Sequence, residues 1–111
     1  MEFWNEKEQR AAKPHRCVAC CKTIEVGDRY SYMAGKWDGV FYVVKQHREC
    51  RAAEIALAAL HGLADGEEWI CLNDMDEIDD IRFVREGHPV AFARIAERYE
   101  HWFEDEDDAQ D

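Results

Sequence analysis

Four side chains constrain the fold of this chain more than anything else in it. Cys17 and Cys20 are separated by two residues, His47 and Cys50 likewise, and twenty-six residues lie between the two pairs. A Cys-x-x-Cys turn brings two sulfurs to one point because the backbone folds back within four residues. His47 and Cys50 are one helical turn apart, so at a helix N-terminus both can face the same ion, and the helix dipole there favours the Cys50 thiolate. Zn²⁺ prefers four tetrahedral thiolate and imidazole ligands, and Cys₃His is one of its structural sets. The spacing therefore predicts one structural zinc ion held by Cys17, Cys20, His47 and Cys50. The chain has five cysteines, an odd number. In a reducing compartment such cysteines are more often ligands than bridges.

The segments around these ligands read as an α+β chain. Residues 28–34 and 40–45, rich in Tyr, Val and Phe, flank Gly35-Lys36-Trp37-Asp38-Gly39, whose Asp-Gly is a strong hairpin signal. From Arg48 to His61 the chain is dense in Ala, Leu and Glu, with Ile55, Leu57 and Leu60 as its large apolar residues; this predicts a helix stopped at Gly62. A short helix is expected around Phe3 and Trp4, closing before Pro14. In the second half, residues 68–72 read as a short strand. Asn73 or Asp74 then caps a helix that carries Met75, Ile78, Ile81 and Val84 and ends at Gly87, with an extended segment at 81–84 as the alternative. Pro89 opens a last helix, whose apolar face is Phe92, Ile95, Ala96, Tyr99, Trp102 and Phe103. The expected organisation is one domain: an N-terminal segment 1–14, a zinc unit 15–62, an acidic helical half 63–103 packed on it, and a disordered acidic tail 104–111.

The stretch from His15 through Cys17-Val-Ala-Cys20-Cys21-Lys-Thr-Ile24-Glu-Val-Gly27-Asp-Arg-Tyr30, then Asp38-Gly39-Val-Phe-Tyr42 and His47-Arg-Glu-Cys50, resembles a treble-clef zinc finger. Members of that group often read Cys-x-x-Cys-Gly-Lys-x-Ile-x-x-Gly-x-x-Tyr before a hairpin and a closing His-x-x-Cys. The resemblance covers residues 15–60 and implies a knuckle, a β-hairpin and a helix around one zinc. Cys21 stands where Gly is usual, so Cys21 competes with Cys20 as second ligand; the knuckle spacing favours Cys20. The resemblance implies no single activity, since treble clefs serve as nucleic-acid binders, protein adaptors and nuclease cores.

Other readings of the same residues fit less well. A thioredoxin-like Cys-x-x-Cys wants a helix directly after it, and a hairpin follows here. Cys71, beside Trp69, reads as a buried core cysteine. His15 and His61 read as surface or helix-end residues. An enzyme is the weakest class: four protein ligands leave no open metal position, and segment 28–45 lacks the histidine that a nuclease of the His-Asn-His type needs. The carboxylates of Asp74, Asp76, Glu77, Asp79 and Asp80 match neither an EF-hand nor a two-metal site.

Charge directs the functional reading. The chain carries a formal net charge of −11, with +2 in residues 1–61 (ten Lys/Arg, eight Asp/Glu) and −13 in residues 62–111 (four Lys/Arg, seventeen Asp/Glu). So acidic a chain is attracted to basic protein surfaces and repelled by nucleic acid. The expectation is a non-catalytic, zinc-stabilised protein-interaction module. One form is an acidic inhibitor or adaptor that binds a basic surface of a nucleic-acid-processing protein, for example a factor by which a bacterial virus counters host defence. Its partner-binding residues would be Asp74, Asp76, Asp79, Asp80, Trp102 and Phe103. The alternative is nucleic-acid binding through the first half, where eight Lys and Arg residues surround Tyr30, Tyr32, Trp37 and Tyr42. The opening residues lack the apolar core of a secretory signal and no apolar run is long enough for a bilayer, so a cytoplasmic location is expected.

Overall fold

Asp38 and Gly39 both have positive φ, 52° and 79°, as a two-residue type I′ hairpin turn requires. That turn sets the sheet. The computed structural model describes residues 3–63 and 70–103, and the side chains of Phe3, Trp4 and Trp37 lie outside that description. On either side of the turn run β4 (Arg29–Trp37) and β5 (Val40–His47), paired from Trp37↔Val40 down to Tyr30↔His47. The expected hairpin is thus present, with β4 running on to Trp37 rather than residue 34 and β5 to His47 rather than residue 45. A third strand, β1 (Phe3–Arg10), lies antiparallel on the other edge of β4, giving the order β1-β4-β5. Residues 3–10 are therefore strand and not the short helix expected around Phe3 and Trp4.

Two short strands, β2 (His15–Arg16) and β3 (Thr23–Ile24), bracket the cysteine turn. The chain leaves β5 directly into α1 (Arg48–Leu60). Gly62 ends that helix with φ 74°: its N–H bonds to Ala59 O and the Leu63 N–H bonds back to Ala58 O at 2.9 Å, the paired closure that a left-handed residue permits. Of the large apolar residues of α1, Leu57 is buried while Ile55 and Leu60 are exposed.

By its contacts the chain divides into two compact units, residues 1–52 and 53–111. In the second unit, Leu72–Asp74 form one 3₁₀ turn, followed by α2 (Ile78–Gly87) and α3 (Pro89–Tyr99), with a further 3₁₀ turn to Phe103. The α2 helix exists as expected but starts at Ile78, not at Asn73 or Asp74. Ile70 and Cys71 are not in a strand, and the remaining strand positions expected at 68–69 lie outside the described residues, as does the expected tail 104–111. Tyr99 explains the late start. Its hydroxyl donates to Leu72 O at 2.7 Å and accepts the Met75 N–H at 2.9 Å, which pins residues 72–75 in a separate turn. Leu57, Leu72, Ile81, Val84, Ile95, Tyr99 and Phe103 form the core of this unit. The described chain is α+β, with three helices and a small antiparallel sheet. Among the described residues no helix is long and apolar enough to cross a membrane.

Candidate metal centre

The sequence places Cys17 and Cys20 on the loop between β2 and β3, His47 at the last position of β5 and Cys50 in the first turn of α1. Each of the four is buried, and their ligand atoms all lie within 4.8 Å of one another. This cluster can hold one metal ion. An ion bound tetrahedrally at about 2.3 Å from sulfur and about 2.0–2.1 Å from nitrogen separates S from N by about 3.6 Å. His47 Nδ1 lies 3.4 Å from Cys20 Sγ and 3.9 Å from Cys50 Sγ, on either side of that value.

The surroundings prepare these atoms for a cation. His47 Nε2 is 3.2 Å from the Thr23 carbonyl. A carbonyl only accepts, so Nε2 carries the proton and Nδ1 keeps its lone pair for the ion, the usual outer-sphere arrangement of a ligating imidazole. Backbone N–H groups point at two of the sulfurs, from His47 to Cys17 Sγ at 3.3 Å and from Lys22 to Cys20 Sγ at 3.4 Å. Hydrogen bonds from the Cys20 and Cys50 thiols, and then from His47, push Cys17 far below the usual thiol range against the opposing cost of burial. Cys50 is driven the other way, first by its hydrogen bonds to Cys17 and Cys20 and then by burial. A divalent cation at the centre of the cluster would favour thiolate ligands by compensating their negative charge.

Cys21 stands apart. It is exposed, and its φ of 63° is in the left-handed region, the conformation for which Gly is the easiest residue. The backbone turns there so that Cys17 and Cys20 converge, with the Cys21 N–H donating to Cys17 O at 2.9 Å. Cys20, not Cys21, joins the cluster.

The remaining candidate residues are placed as follows. His15 lies outside the cluster: Lys45 Nζ donates to its Nδ1 at 3.2 Å, and partial desolvation, then Lys45 and Lys13, lower its basicity. Cys71 is half-buried and not a core residue; its thiol donates to Asn73 Oδ1 at 2.9 Å. Of the residues expected to meet a partner, Asp74, Asp76 and Asp79 are exposed and Trp102 is 36% exposed. Asp80 and Phe103 face inward. The Asp80 carboxylate accepts from His61 Nε2 at 2.8 Å, and Phe103 is 2% exposed beneath the Arg85 guanidinium, 4.2 Å from its ring centre. The His61–Asp80 pair went unseen in the sequence, because it joins a helix end to a helix start nineteen residues away.

No protein-family model, no curated protein and no solved structure matches this chain.

Proposed function

We propose that this chain is a non-catalytic binding module whose first unit is organised by a structural zinc ion. The observation behind this reading is the closed Cys₃His cluster: four buried protein donors within 4.8 Å, two from a knuckle and two from a strand-to-helix junction. Thiolate with imidazole suits Zn²⁺ over the harder cations, and four protein ligands leave no coordination position for substrate. The order of knuckle, hairpin and helix supports a treble-clef arrangement around the ion.

The partner in this reading is a protein with a basic surface, met by the acidic second half. The accessible part of the expected surface is Asp74, Asp76, Asp79 and the edge of Trp102. With four Lys/Arg against seventeen Asp/Glu, residues 62–111 offer a field that favours such a surface. Blocking the groove of a nucleic-acid-processing protein, with carboxylates where phosphates would sit, is the inhibitor form of the same idea.

Elemental analysis of the purified protein tests the metal: about one zinc per chain is expected, and less than about half an equivalent rejects the reading. Asp76→Lys with Asp79→Lys tests the surface. The double variant should keep its zinc and melting temperature while losing capture of its partner from the native host; undiminished capture rejects the acidic surface.

A further inference from the structure

The net charge of −11 conceals a sheet face with no carboxylate on it. Strand alternation and register sort the side chains of β1, β4 and β5 onto two faces. One carries Glu6 and Glu8, and the start of α1 lies against it: Arg51 grips Glu6 through two hydrogen bonds of 3.1 Å, and Arg48 reaches Glu8 at 3.9 Å. Met33 on that face is fully buried. On the other face the cross-strand rows are Lys36↔Phe41, Asn5↔Ala34↔Val43, Lys7↔Tyr32↔Lys45 and, at the cluster end, Gln9↔Tyr30↔His47. It holds three lysines and no Asp or Glu at any described position. Phe41 is 67% exposed and Val43 54%, Lys7 is exposed, and Tyr32, Lys36 and Lys45 are half-buried. Ammonium and ring already alternate there: Lys7 Nζ lies 5.6 Å from the Tyr32 ring centre and Lys36 Nζ 5.8 Å from that of Phe41.

We infer that this face binds a single strand of nucleic acid. The three lysines supply sites for consecutive phosphates. The Tyr32 and Phe41 rings supply two stacking positions, about 13 Å apart along the strands, with the apolar Ala34–Val43 row between them for an intervening base. A duplex keeps its bases stacked internally and gains only the phosphate contacts, so the face discriminates for single strands. An acidic peptide would satisfy the lysines but leave the rings without a planar partner. The inference stands apart from the acidic-surface reading, since it uses different residues and a partner of opposite charge.

The test is fluorescence anisotropy of the zinc-loaded full chain with labelled oligothymidylate of about 15 nucleotides, within the site-size range of single-strand binders. Binding should be tighter than to a duplex of the same length. With three phosphates neutralised, the slope of log K against log salt should be about −2, a loss of roughly 20-fold between about 50 and about 200 mM salt. Phe41→Ala should weaken binding roughly 5- to 150-fold. Lys7→Glu with Lys36→Glu should weaken it and flatten the slope to about −0.7, one remaining phosphate. Zinc content and melting temperature report that these surface variants fold. Four results overturn the inference: no binding at about 50 mM salt, unchanged affinity in both folded variants, equal affinity for the duplex, or tighter binding of a poly-glutamate peptide, which assigns the face to an acidic protein segment.

Discussion

Removing the metal should undo the first unit and spare the helices of the second, and burial in each unit says why. Among the described side chains of residues 1–52 the large buried apolar ones are Ile24, Tyr30 and Met33, while three more of the buried positions are the cysteines of the cluster. At about 1.5–3 kcal/mol per large side chain, those three contribute about 5–9 kcal/mol. Zinc in small Cys/His units contributes about 10–16 kcal/mol, so a bound zinc would contribute more than these three side chains do. In residues 53–111 the large buried apolar residues include Leu57, Leu72, Met75, Ile81, Val84, Ile95, Tyr99 and Phe103, about 12–24 kcal/mol on the same scale, none of it routed through a ligand. Hydrogen exchange read by mass spectrometry, before and after chelation, resolves the two. Peptides covering 29–47 should lose protection on chelation while those covering 78–99 keep it. Protection of 29–47 that survives with zinc verifiably gone would refute the idea, because the hairpin would then be held by its side chains alone.

Two further outcomes follow from particular residues. Cys21→Gly should retain a full equivalent of zinc and change stability by no more than about 1 kcal/mol, the favoured left-handed geometry offsetting glycine's extra entropy in the unfolded chain; Cys20→Ser should lose the metal, and the reverse pattern in elemental analysis would make Cys21 the ligand. Tyr99→Phe removes both buried hydrogen bonds, to Leu72 O and from Met75 N–H, and should cost about 2–4 kcal/mol in urea unfolding. Burial raises the Tyr99 ionisation above its ordinary 10.0, partly countered by the Met75 N–H and Arg98. A raised folded value means that this stabilisation is complete below the unfolded value and is lost as pH rises through the folded one. The native chain should therefore weaken in strong alkali more steeply than the Phe variant, and parallel pH profiles would count against the assignment.

The parts of the fold that were legible in the sequence are those fixed by local chemistry. A Cys-x-x-Cys turn, an Asp-Gly hairpin and a Gly-terminated helix each declare themselves within a few residues, and Cys17, Cys20, His47 and Cys50 converge because these local pieces are joined in the right order. Strand β1 was illegible for a physical reason. From Asn5 to Arg10 it is polar on both faces, so no two-residue hydrophobic period marks it; it is held by its ladder to β4 and by the Arg51–Glu6 pair, forty-five residues apart. The start of α2 was misplaced because Asn73 and Asp74 look like caps, while the group that fixes residues 72–75 is the hydroxyl of Tyr99, far along the chain. Asp80 read as a surface charge for the same reason, its partner His61 lying at the end of α1.

Strand β5 joins the candidate metal cluster to the face inferred to bind a single strand. His47 closes it at the metal cluster, while Phe41 and Val43 lie exposed toward the hairpin tip. Six residues of strand, about 20 Å, separate Phe41 from His47, whereas Lys45 lies two residues from His47 on the same face. Between them Lys45 turns its carbonyl to the knuckle, accepting the Val18 N–H at 3.1 Å, and its ammonium to His15 Nδ1. In this reading a bound ion would act on the face by anchoring the strand that bears it. A substitution at Cys50 removes the anchor and with it the face; a substitution at Phe41 removes a contact and leaves the anchor intact. Zinc content and hydrogen exchange of Cys50→Ala and Phe41→Ala test that asymmetry: loss of metal and of strand protection is expected in the first and neither in the second.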